Sequence, residues 1–252
     1  MNSSNFPAFS CEGLEMKEEK AVSEVVGNLL ILLIVGITVS AMLSYGYPLI
    51  MSGQENVKMR NVVSSLVFTK EKMDVVASDV APSTTVKFPP SGGGISVSNG
   101  YELFVYRNGT PLSYVPSSPK ELVYVSGNRK LALELGGVWK IEGAMSTLIY
   151  PPLVSSSKSP SSLAIDVYEL NGSGSAGGYG IATIFMRYAG EETHSYGSSD
   201  VKLVIVSEFA EAWAKYLEEQ GFSVTLSGNT VTADIKVGNF TIAVHRIDIS
   251  IW

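Results

Sequence analysis

MKEEKAVSEVVGNLLILLIVGITVSAMLSYGYPLI, residues 16–50, decides how the rest of the chain must be read. A short charged run ends at Lys20, a single glutamate follows at Glu24, and the thirty residues Val25–Gln54 carry no charge. A hydrocarbon core about 30 Å thick needs about 20 helical residues at about 1.5 Å each, so this run can span and continue beyond. Secretory signals have shorter apolar regions that end in a small-residue cleavage site. Here the far end reads LSYGYPLIMSGQEN and offers no such site, so the run is expected to stay with the product and to span at about residues 25–50. The bland alternative is a core helix of a soluble protein. An apolar surface all the way round argues against it.

Two details go beyond a plain anchor. Gly36, Ser40 and Ser44 recur every fourth residue, a ridge of small side chains that lets a second helix approach closely. Glu24 lies just inside the apolar run, where an acidic side chain is costly and usually has a partner. A second reading of Glu24 is a helix-start residue favoured by the helix dipole, with Ser23 as the N-cap.

These residues carry a resemblance. K-AVSEVVG followed by the apolar helix resembles the start of archaeal type IV pilin-like proteins, which have a short charged leader (a class III signal peptide). The matching positions are Lys20, Ala21, Val22, Ser23, Val25, Val26 and Gly27. The resemblance implies a prepilin-type peptidase cutting between Lys20 and Ala21, which leaves the helix as the new N-terminus. Glu24 stands where many relatives have proline, and it falls fourth from that cut rather than fifth. A start at Met16 would give the compact leader MKEEK and put Cys11 outside the product. The resemblance further implies an extracellular C-terminal domain and a filament core of packed helices. Glu24, Gly27, Gly36, Ser40 and Ser44 are the candidate packing residues.

The chain beyond the run changes character twice. Met59, Val62, Val63, Leu66, Met73, Val76 and Val80 fall at three- and four-residue steps, and Pro82 marks an end. One helix or two stacked helices are therefore expected over about 22–81, bent near Gly46–Pro48, with the second stripe buried on the chain's own β domain. From Ser83 the period becomes two. YELFVYR, ELVYV, KLALEL, GVWKI, STLIY, LAIDVYEL and GIATIFMRY read as strands, and many short strands with frequent turns suggest a sandwich. In KLALEL the leucines Leu131, Leu133 and Leu135 alternate with Ala132 and Glu134, the mark of a half-buried strand. Asn99–Gly100, Asn108–Gly109 and Asn171–Gly172 are turn dipeptides, and the Pro/Ser tracts at 116–119 and 151–162 read as loops. Near the end, Ser207 is the expected N-cap of a helix over about 208–220. Its apolar face holds Phe209, Trp213, Tyr216 and Leu217, and Gly221 sits in the C-cap position. VYVSGNRKLALELGGVWKIEGAMSTLIYPP and EFAEAWAKYLEEQGFSVTL resemble blocks of uncharacterised archaeal pilin-like proteins. That likeness implies architecture and supplies no catalytic residues.

Motifs for chemistry are thin. Gly172, Gly174 and Gly177 satisfy GxGxxG, but a β-patterned run follows where a dinucleotide site needs a helix, so a flexible hairpin connection is expected. His194 reads as a loop residue and His245 as a strand residue, too few ligands for a closed zinc site. Asp166 and Glu169, three apart on a strand, point to opposite faces. No G-x-S-x-G is present. A net charge of −6 without a Lys/Arg cluster gives no grip on nucleic acid. Asn108, Asn171 and Asn239 begin N-x-S/T triplets and are candidate glycan acceptors if the domain is exported.

The expected protein is thus α+β. It has a charged leader (1–20), a long N-terminal transmembrane or filament-core helix (21–82), and a β-rich sandwich-like head (83–252) with one C-terminal helix. No enzyme, cofactor or metal is expected, and the expected partners are the membrane, the peptidase and other pilin-like subunits. The alternative is a monomeric, membrane-anchored surface protein whose head binds a glycan, envelope component or protein partner. An ectoenzyme is a third reading with no motif behind it.

Overall fold

The computed structural model describes the backbone of residues 12–158 and 161–252. The first eleven residues, including Cys11, lie outside the described residues. The chain is an α+β protein that divides into two compact units, one up to Val57 and one from Lys58 to Trp252. The first unit is helical. Helix α1 (Glu12–Ala77) begins there, runs through Gly46 and Pro48 as one element, and ends in the second unit. It stops at Ala77 rather than near 81, because Asp79 turns into the left-handed region (φ 51°). The Asp79 N–H then donates to the Val76 carbonyl and the Val80 N–H to the Val75 carbonyl, a Schellman closure. Val80, expected on the buried stripe, is therefore past the helix and exposed.

The head strands are β1 (Ser83–Phe88), β2 (Gly94–Asn99), β3 (Glu102–Arg107), β4 (Thr110–Pro111), β5 (Lys120–Ser126), β6 (Arg129–Glu134), β7 (Gly137–Glu142) and β8 (Met145–Tyr150). Then come β9 (Val154–Lys158), β10 (Ser161–Gly177), β11 (Ala182–Tyr196) and β12 (Ser199–Val206). Helix α2 (Ala210–Glu219) precedes β13 (Ser223–Ser227), β14 (Thr230–Val237) and β15 (Asn239–Ile251). One sheet runs β1-β11-β15-β10-β2-β5-β6-β7-β8, with β9 also on β10, and a second runs β13-β14-β12-β3-β4. The long strand β15 lies between β10, to which it is parallel, and β11, to which it is antiparallel.

The larger sheet is covered on both faces. On one side Met59, Val62, Leu66, Met73, Val76 and Ala77 of α1 pack on residues such as Phe88, Ile95, Leu122, Tyr124, Leu131 and Ile249. On the other, the smaller sheet and α2 pack on Ala132, Trp139, Ile165, Val167, Ile242 and Val244. The second half of the helical stripe thus buries against the chain's own sheet, as its spacing predicts.

Double coverage explains where the strand reading fails. Leu131, Ala132, Leu133 and Glu134 of β6 are all buried, so β6 is not half-buried; Leu135 leaves the strand at φ 47°. Asn108–Gly109 is a hairpin turn with both residues at positive φ, as expected of the type I′ geometry. Asn171–Gly172 is not a turn. It lies inside β10, opposite Asp248 and Ile249 of β15. Gly172 and Gly174 sit at φ 143° and 147°, and a Cβ at Gly172 would fall 1.8 Å from the Ile249 carbonyl oxygen. These glycines serve a close strand–strand approach, not a flexible hairpin connection. The tract 151–162 likewise holds β9 and the start of β10 instead of one loop.

Leu66 is fully buried between α1 and the sheet, whereas Phe68 on the opposite side of the helix is half exposed. Leu66→Ala is expected to destabilise the head by about 2–5 kcal/mol, and Phe68→Ala by less than about 1 kcal/mol. Chemical unfolding of the detergent-solubilised chain, followed by tryptophan fluorescence, measures both.

Candidate functional site

Two places in the molecule concentrate unusual physical chemistry. One is the helix surface Glu24–Tyr47, which is long and apolar enough to cross a membrane and none of which is buried. Leu29, Leu30, Ile31, Leu32, Leu33 and Ile34 are all more than half exposed, so the apolar surface runs right round the helix. Glu24, Gly27, Gly36, Ser40 and Ser44 are exposed too. A Cβ built at Gly36 or Gly27 meets nothing within 4 Å, which leaves the Gly36-Ser40-Ser44 ridge open. The Lys20–Ala21 bond lies in the helical backbone of α1, and the side chains of both residues lie outside the described residues.

The second place is a buried carboxyl pair in the head that the sequence reading passed over. Glu134 at the end of β6 and Glu121 on β5 are each 1 % exposed. Ser207 Oγ lies 2.9 Å from both Glu134 carboxyl oxygens, and Trp213 Nε1 donates to Oε2 at 2.9 Å. Ser207 Oγ in turn accepts from the Phe209 N–H. So Ser207 does not cap α2. Phe209 holds the N-cap position, and the Ser207 hydroxyl ties the start of the helix to β6. The Lys130 ammonium reaches Glu121 at 3.5 Å and Glu208 at 3.0 Å. Burial, then the negative Glu121 beside it, pushes the Glu134 carboxyl up to about 8. Burial also raises Glu121, although Lys130 opposes the shift. At neutral pH Glu134 therefore holds its proton, and Lys130 stands on the Glu121 side of the pair. The rings of Trp139 and Trp213, 4.2 Å apart and tilted by 33°, lie in the same core. Sealed in this way, the pair joins layers.

The remaining sequence candidates are scattered. His194 lies in β11 rather than a loop, 3.0 Å from Glu192. His245 in β15 donates from Nδ1 to the carbonyl of Ala77, the last residue of α1, at 3.1 Å. Burial pulls the His245 pKa down, but Asp166 and Glu191, each 3.7 Å away, outweigh it and leave it raised. Asp166 faces His245 while Glu169 pairs with Arg246, so the two acids do point to opposite faces. Among the described residues no three His, Cys, Asp or Glu side chains gather as a metal site. Asn108, Asn171 and Asn239 are all exposed, in a hairpin turn, within β10 and at the start of β15.

The chain matches one protein family over residues 20–251. It belongs to the family of unknown function DUF7289. No curated protein and no solved structure matches it. The DUF7289 match takes in both the apolar helix and the head.

The buried pair makes a signed prediction. Glu134 binds its proton more tightly folded than unfolded, so its contribution is complete below the ordinary value of 4.5 and is lost as pH rises towards about 8. Raised His245 acts in the same sense above its ordinary value of 6.5. Head stability is expected to fall with rising pH across this window, and Glu134→Gln is expected to remove a share on the order of a few kcal/mol. Denaturant midpoints at pH 5 and pH 8 for both proteins measure it.

Proposed function

We propose that this protein is a structural subunit or minor component of an archaeal type IV pilus-like surface filament. In this reading a prepilin-type peptidase removes the leader between Lys20 and Ala21. The helix anchors the precursor in the membrane with the head outside, then leaves the lipid and packs against like helices. One observation carries the reading: an apolar helix with no buried face, bearing a ridge of small residues, is joined to a head that completes its own core without it. A helix of this kind needs lipid or other helices around it, and the ridge lets backbones come close enough for van der Waals packing to replace lipid. The family match opens at Lys20, beside the proposed cut, as a leader ahead of the helix would have it.

N-terminal sequencing of the mature chain is expected to begin at Ala21. Gly36→Leu fills the ridge and is expected to leave membrane insertion intact while abolishing incorporation into filaments. Electron microscopy of cells with and without the gene, and with the variant, reads this out. Unchanged filaments in all three would favour the monomeric, membrane-tethered surface protein.

A further inference from the structure

The outer strand β8, Met-Ser-Thr-Leu-Ile-Tyr, ends the larger sheet and pairs only with β7. Proteins guard such edges with charge, proline or brevity, because an open edge recruits another strand. The other edges follow that practice or are polar: β1 carries Lys87, β4 is two residues long with Pro111, and β13 is mostly Ser and Thr. β8 has neither charge nor proline, and it exposes Met145 (72 %) and Ile149 (38 %). Beside it runs a cleft of about 480 Å³ lined by Ser146, Thr147 and Leu148 on one side and Glu211, Lys215 and Glu219 of α2 on the other. Ser146 Oγ accepts the Ala212 N–H at 3.1 Å, which fixes the first turn of α2 at the middle of the strand.

We infer that β8 pairs antiparallel with β8 of a second copy of this chain, about a two-fold axis at Thr147. Two features of the molecule select a second copy as the occupant. Centring the pair on Thr147 sets exposed Met145 against the partner copy's Ile149 and threonine against threonine, both favourable cross-strand pairs. The charges agree as well. Glu211, Lys215 and Glu219 share one helix face at four-residue spacing, and none forms an ion pair among the described residues. Ala212 is fixed at Ser146, and Glu211 and Lys215 line the same cleft as Thr147, so both flank the inferred axis. It brings Lys215 of each copy opposite Glu211 of the other, two identical ion pairs in an isologous contact. This contact lies on the head and does not draw on the Gly36 ridge.

The test uses the full chain in detergent with Cys11→Ser and one added cysteine. Thr147→Cys, the residue on the axis, is expected to give a covalent dimer with a short bis-maleimide, and Ser146→Cys, which would face Leu148, far less. Lys215→Glu is expected to cut the Thr147→Cys yield about tenfold by turning two attractions into repulsions. The swap E211K/K215E is expected to restore it. Adding Gly36→Leu is expected to leave the dimer unchanged. A monomer from Thr147→Cys, an equal yield from Ser146→Cys, or a yield indifferent to Lys215→Glu overturns the pairing. A dimer lost with Gly36→Leu also overturns it, and assigns the association to the membrane helix. Filaments abolished by Gly36→Leu with the head dimer intact would uphold both readings separately.

Discussion

The architecture depends on one constraint: a helix with no charged residue from Val25 to Gln54 presents apolar surface all round, none of it buried over Glu24–Tyr47. At about 25 cal/mol per Å², such a surface in water is costly on a scale that exceeds the whole stability of an ordinary domain. So the first unit is defined by an environment it must find outside itself. The second unit shows the opposite economy, since every layer there has a partner layer within the chain.

Helix α1 serves both regimes with one continuous backbone. Past Lys58 its side chains change from uniformly apolar to a stripe, and that stripe closes one face of the larger sheet. The other face is closed by α2 and the smaller sheet, so β6 is buried on both sides from Leu131 to Glu134. A carboxyl group at the end of such a strand has to be reconciled with burial. Glu134 manages this by holding a proton, taking hydrogen bonds from Ser207 and Trp213, and sharing its charge problem with Glu121 and Lys130. The polar joint pins the start of α2 to β6 in one orientation, a specificity that an apolar contact supplies less sharply.

The features read correctly from the sequence are those governed by local periodicity. The uncharged run, the stripe from Met59 to Val76, the α2 face and the Gly221 position after it all follow from three- and four-residue spacing. The hairpin at Asn108–Gly109 follows from backbone preference. The misreadings share a different cause. Asn171–Gly172 looks like the same turn, but β15, some seventy-five residues later, lies alongside and holds it extended. Glu134 looks like a solvent-facing residue of an alternating strand, because nothing local announces a second covering layer. Ser207 has the chemistry of a cap and is claimed instead by a carboxyl group seventy-three residues away. The apolar run was legible at once, since it needs no tertiary context; the buried acid pair was invisible, since it is nothing but tertiary context.

The position of β15 has a temporal consequence. It is made after every other strand of both sheets, yet it sits between β10 and β11 and supplies the middle of the larger sheet. While the ribosome is still working, β10 and β11 therefore lack the neighbour they share. Closure of the larger sheet thus waits for β15. Until then the chain from β1 to β14 has no middle to its larger sheet and cannot lock into the finished head.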